Sequence, residues 1–445
     1  MKKISAVLLC AISIGALIFS SSVFAKPKRP RKPEPPKPPV ITKPKAGELP
    51  KTGEYEFTGI PCSQKIIRYS WQMHFGTRAA RKIRTFKKST RTKIAPYYKR
   101  RQKKTIYPKP RELYKVKPNP FATVFRVYVP KHYDGKTPFG VFFFYRGGLM
   151  SNPLIQSWRP FLDKHNLIFV SARNAGNKAQ EVTRYMASVN AIDQLRYAGY
   201  NLAKDRFYIG GFSGGGKMAS RVAYANPEIY CGLFAAGGIL PPIKDKIKYL
   251  KMGPGCAIPR SALRIAQKRL KIVSMTGEKD EMFPPEYNSA ICQSIKKKRF
   301  NVTAITIKGI NHNIPPAKHY EKYISKFDAD GMKNIEKYYK QAKKHIKSKK
   351  KGKALLVLAK AIAFSGLKPD SKIHKEISAE YNKLYSEWET GVKKLENLLD
   401  PLDYKTAKKQ YQKFCRKWAP YSNSYKKNYK NHLMAARKAA RKKKK

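Results

Sequence analysis

Residues 205–216 read Asp-Arg-Phe-Tyr-Ile-Gly-Gly-Phe-Ser-Gly-Gly-Gly. The apolar run Phe207-Tyr208-Ile209-Gly210 meets a glycine-flanked serine, and a helical pattern follows from about Gly215. A strand that turns directly into a helix produces this pattern. Gly211-Phe212-Ser213-Gly214-Gly215 fits G-x-S-x-G. Glycines flank the serine in that motif because a sharp, strained turn leaves no room for Cβ atoms, and the hydroxyl then projects above the sheet. Two other readings of the stretch exist. One is a glycine-rich turn with an incidental serine. The other is a phosphate loop, since Gly211, Gly216 and Lys217 nearly satisfy G-x-x-x-x-G-K-[ST], but Met218 stands where a hydroxyl must hold Mg²⁺.

Outward from this turn, strands and helices alternate. Phe121 to Val129 alternates apolar and polar residues up to Pro130, and Phe139 to Tyr145 is a continuous apolar run stopped by Gly147-Gly148. Leu167 to Ala172 predicts a buried strand, Val182 to Tyr197 a helix, and Gly232 to Gly237 a further strand. Ile272 to Thr276 and Val302 to Ile307 predict two more, with a helix near Glu286 to Lys298 between them. Such alternation over some 200 residues predicts an α/β fold, a mostly parallel, doubly wound sheet with helices on both faces. Chemistry in such folds sits at the carboxyl ends of the strands.

Two of those ends carry suitable partners for Ser213. Asp280 follows the 272–276 strand in Thr276-Gly277-Glu278-Lys279-Asp280, and His312 follows the 302–307 strand in Gly309-Ile310-Asn311-His312. A serine needs an imidazole to accept its proton, and the imidazole needs a carboxylate to fix its tautomer and stabilise its cation. Ser213, Asp280 and His312 are therefore the expected triad, with Asp280 preferred over Glu278 and Glu281 by its offset from the strand end. A developing oxyanion needs two backbone N–H donors. Gly214 is expected to supply one, and the turn around Gly148 and Leu149 the other. Arg146, in that same turn, and Asn177, in Arg173-Asn174-Ala175-Gly176-Asn177, are candidates for substrate binding, although Asn177 also suits a plain turn.

With these residues in place, the stretch 121–329 resembles the α/β-hydrolase superfamily. The FRVYVP strand, the FFFYRGG turn and the DRFYIGGFSGGG elbow are most similar to secreted esterases of the polyhydroxybutyrate depolymerase and feruloyl esterase type. The resemblance implies hydrolysis of a carboxylic ester through an acyl-enzyme, without metal or cofactor. It departs at Arg146, where the family usually has histidine before Gly-Gly. GFSGGG also fits prolyl-oligopeptidase-like peptidases, but the short basic segment before residue 121 cannot form their propeller. A catalytically inactive hydrolase fold used as a binding module is the alternative from another class.

The rest of the 445-residue chain is dominated by charge, with 95 Lys+Arg against 28 Asp+Glu and a formal net charge of +67. Residues 26–120 carry +23, residues 121–329 carry +19 and residues 330–445 carry +23, so the flanks are the more basic parts per residue. Lys2 and Lys3, an apolar run from Ile4 to Phe19 and Val23-Phe24-Ala25 predict a signal peptide over 1–25, hence a secreted or periplasmic protein. Residues 26–52 interleave Pro with Lys and Arg and predict a disordered linker. Residues 53–120 are expected to form a basic extension that packs in part. Residues 330–445 are expected to be helical, with lysines holding the protein to an anionic polysaccharide or an anionic envelope surface. Nucleic acid suits the charge but not the export signal. Cleavage after Ala25 would leave five cysteines, of which Cys231 and Cys256 are the first expected pair.

Overall fold

A computed structural model describes residues 39–45, 48–59, 123–146, 155–173, 175–177, 179, 181–242, 258, 260–397 and 404–418. Eight strands form one sheet: β1 (Gly53–Thr58), β2 (Val124–Val129), β3 (Phe139–Tyr145), β4 (Leu167–Ala172), β5 (Leu202–Phe212), β6 (Gly232–Ala236), β7 (Lys271–Gly277) and β8 (Asn301–Ile307). Their order is β1-β2-β4-β3-β5-β6-β7-β8. The β1–β2 and β2–β4 pairs are antiparallel and all pairs from β4 to β8 are parallel.

Burial explains the uninterrupted apolar strands. Every residue of β3 and β4 is buried, as expected where helices cover both faces. Successive side chains point to opposite faces, so Val141, Phe143 and Tyr145 join one cluster with Ile209 and Leu233. Phe142 and Phe144 enter the other, against Trp158, Phe234 and Tyr320. Burying one such aromatic side chain contributes on the order of 2–3 kcal/mol.

The helices are α1 (Arg159–Lys164), α2 (Glu181–Tyr197), α3 (Gly214–Ala225), α4 (Arg260–Arg269), α5 (Pro285–Lys297), α6 (Ala317–Met332), α7 (Ile335–Lys347), α8 (Lys351–Ser365), α9 (Lys372–Asn397) and α10 (Tyr404–Trp418). The last four form their own apolar cluster around Leu355, Leu358, Ile377 and Trp418, which Ala203 of β5 joins. Among the described residues, no helix is long and apolar enough to cross a membrane.

Four sequence expectations require correction. The linker expected over 26–52 includes packed backbone: Ile41 is buried, Val40 bridges Thr58, and Pro44 and Pro50 lie against Gly199. The sheet begins at β1 rather than at residue 121, because β1 pairs along its length with β2. The 329/330 boundary falls inside α6, whose Phe327 belongs to the sheet's core. The expected Cys231–Cys256 pair is also not made: Cys231 is a free thiol. It donates to the carbonyls of Asp205 and Phe207, and burial pushes its pKa up to about 12. The signal peptide, Cys256 and the basic tail lie outside the described residues.

Candidate active site

The turn between β5 and α3 holds Ser213 at φ 56° and ψ −122°. L-residues avoid this conformation, and it persists only where the surroundings enforce it. The Ser213 N–H donates to Ala236 O at 2.7 Å, tying the elbow to β6, and Lys217 N donates to Ser213 O at 3.2 Å. A Cβ on Gly215 would collide with the Tyr145 carbonyl, and one on Gly211 with the backbone of Gly215. The glycine pattern thus records how closely α3 crosses the end of β3.

The β7–α5 loop and the β8–α6 loop bring the next two residues together. Asp280 is 3% exposed. Its carboxylate accepts from His312 Nδ1 at 2.8 and 2.9 Å, and Oδ1 also accepts from Phe283 N at 2.8 Å. The two loops are fastened by Glu278, whose Oε2 accepts from Gly309 N at 2.9 Å, and by Lys279 N, which donates to Ile310 O at 3.0 Å. Glu278 therefore latches the loops and makes no contact with the imidazole among the described interactions. The His312 ring packs against Phe212 with centroids 4.8 Å apart. Its Nε2 is buried and has no hydrogen-bond partner among the described residues.

Ser213 and His312 line one cavity of about 460 Å³, together with Arg146, Phe212, Met282, Asn313 and Ile314. Met282 is 75% exposed, at odds with its apolar character. Asn177 lies against Gly214, close enough that a Cβ there would overlap its amide. Gly148 and Leu149 lie outside the described residues. Sequence reading missed Met282, Asn313 and Ile314, although each is within two residues of Asp280 or His312. It also missed Arg184 of α2, which donates to Gly214 O at 3.2 Å while its own carbonyl accepts from the buried Tyr145 hydroxyl. Among the described residues, no three His, Cys, Asp or Glu side chains converge as metal ligands.

An imidazole with one nitrogen fixed by a buried carboxylate and the other without a hydrogen-bond partner can shuttle a proton. A serine on a strained strand-to-helix turn in that same cavity is the group it can serve.

No protein-family model matches the chain. No curated protein matches it either. Solved structures similar to it include a candidate dipeptidyl aminopeptidase IV from Bacteroides ovatus, at 15% identity over 46% of this chain and 33% of that one, with a TM-score of 0.36. A thermostable esterase is 16% identical over 46% of this chain and 56% of that one, with a TM-score of 0.33. Est1E from Butyrivibrio proteoclasticus is 15% identical over 47% of this chain and 93% of that one, with a TM-score of 0.33. The chain thus spans about a third of the first of these and just over half of the second. The strand order, the parallel pairing from β4 to β8 and the serine elbow after β5 give this chain the α/β-hydrolase fold.

Proposed function

We propose that the protein is a serine hydrolase that cleaves carboxylic esters through an acyl-enzyme. One observation carries the reading: the strained Ser213 and His312 line the same cavity, and Asp280 holds Nδ1 of that ring while Nε2 has no hydrogen-bond partner among the described residues. In the first step Ser213 Oγ bonds to the carbonyl carbon while His312 Nε2 takes the hydroxyl proton. That proton then passes to the departing alkoxide as the C–O bond breaks. Water repeats the sequence, losing a proton to His312 and releasing the acid and Ser213. Asp280 keeps Nδ1 protonated and stabilises the imidazolium. Gly214 N–H, at the head of α3, is one oxyanion donor; Gly148 and Leu149, expected from the sequence to supply the other, lie outside the described residues.

The finer reading is an exported esterase working on a polymeric or surface-held ester. It is supported by the signal-like residues 1–25 and by the exposed lysines of α7, Lys337, Lys340, Lys343, Lys344 and Lys347. In that case retention on an anionic polysaccharide matrix falls steeply with salt, because exposed charges are screened beyond roughly 10 Å at 0.1 M ionic strength. The central test is turnover of a short aryl ester by purified protein. Ser213→Ala is expected to bring the rate to the uncatalysed background; undiminished turnover in that variant contradicts the proposal.

A further inference from the structure

We infer that the cavity beside Ser213 takes esters that carry a carboxylate, and that Arg146 is the residue that reads the charge. The inference rests on the hydrolase reading above. Parallel pairing of Tyr145 with Gly211 makes Arg146 leave the sheet level with Phe212, one residue short of Ser213. Arg146 and Ser213 then line the same cavity.

The chemistry of the walls is one-sided. Among the described residues that line the cavity, Arg146 is the sole permanently charged side chain; Phe212, Met282 and Ile314 are apolar and Asn313 is neutral. The negative charge of Asp280 is not offered to a ligand, since that carboxylate is 3% exposed and engaged by His312 and Phe283 N. Glu278 is held by Gly309 N. Around the same loops the exposed Lys217 and Lys279 offset the exposed Glu278 and Glu281. A planar guanidinium matches a carboxylate with two parallel hydrogen bonds. The +67 chain adds a field that draws anions towards such a site.

The carboxylate could belong to the acyl group or to the alcohol, and two substrate pairs separate these cases. The first sets the 4-nitrophenyl monoester of adipic acid against 4-nitrophenyl hexanoate, with the charge on the acyl side. The second sets 4-acetoxybenzoate against its methyl ester, with the charge on the alcohol side. In at least one pair, kcat/KM is expected to favour the charged member by about tenfold or more at low salt. In Arg146→Gln that ratio should fall to about one through a raised KM, and Arg146→Lys should keep part of it. Raising the ionic strength should shrink the ratio in the native protein. The inference is overturned if turnover depends on Ser213 yet neither charged ester is preferred, or if the preference survives in Arg146→Gln. Inertness towards all four esters, with no difference from Ser213→Ala, instead overturns the hydrolase reading and this inference with it.

Discussion

Two chains of serine, histidine and aspartate lie at opposite ends of this sheet. At the carboxyl ends of the strands are Ser213, His312 and Asp280. Near the amino ends, Ser325 Oγ meets His165 Nε2 at 3.1 Å, and His165 Nδ1 meets Asp328 at 2.8 Å. Connectivity alone would favour the second set, yet its surroundings suit it for structure. Asp328 is also clamped by Arg206 at 2.9 Å through both Nε and Nη2, and by the Tyr208 hydroxyl at 3.2 Å. Burial alone would raise the Asp328 carboxyl, but Arg206 and His165 hold its pKa below the ordinary value. Both imidazole nitrogens of His165 are occupied, and Ser325 sits within regular α6. At the other end no arginine contacts Asp280 among the described interactions, Nε2 has no hydrogen-bond partner among the described residues, and the serine is on a strained turn beside a cavity. The difference lies in what is left without a partner: both nitrogens of His165 are engaged, whereas His312 Nε2 makes no hydrogen bond among the described residues.

The largest contrast is expected between the two aspartates. Asp280→Asn should lower kcat by about 10⁴, as loss of a triad carboxylate does elsewhere. Asp328→Asn should act on stability instead, with turnover per folded molecule nearly retained. Equal losses of kcat in the two variants would erase the distinction between the sites.

Next in size is the structural end itself. Arg206→Met removes the cation that neutralises Asp328 in a site where Arg206 is fully buried. Breaking a buried pair in this way costs about 3–5 kcal/mol, read as a lower denaturant midpoint. A midpoint unchanged from the native protein would show that the clamp contributes little.

A smaller effect is expected behind His312. Gly237 has φ +57°, and a Cβ there would stand 3.0 Å from His312 Cε1 and 2.9 Å from the Phe212 ring. Gly237→Ala should displace the imidazole and lower kcat by about 10², with KM little changed. Glu278→Gln, which alters only the loop latch, should cost less than either change; a loss matching that of Asp280→Asn would move the triad carboxylate to Glu278.

The smallest expectation concerns pH. The folded pKa of Asp328 lies below its unfolded value near 3.8, so its contribution to stability is complete above that value. It is lost as pH falls through the lower folded pKa. The stability gap between native protein and Asp328→Asn should therefore be level near pH 6 and shrink below about pH 3.8, as followed by denaturant titration; a gap that widens in acid would reverse the sign.

Much of the candidate site could be read in the sequence because local pattern and chemistry coincide there. The Gly211–Gly215 elbow and the strand at 167–172 each occupy a few consecutive residues, and Asp280 and His312 each lie within five residues of a strand's carboxyl end. The structural end could not be read, since Arg206, His165 and Asp328 are far apart in sequence and each looks like an ordinary surface charge until the fold buries it. The same applies to β1, whose partner β2 lies more than sixty residues away. Cys231 misled for a related reason: its nearness in sequence to Cys256 suggested a bridge, whereas its thiol is engaged by the backbone of β5.

Letting the two serines compete for one reagent separates the two ends of the sheet by reactivity. Full-length protein is treated with a fluorophosphonate, digested, and the modified peptide identified by mass spectrometry. A single adduct on Ser213 is expected, lost in Ser213→Ala and retained in Ser325→Ala. An adduct on Ser325, or none at all on Ser213, would contradict it.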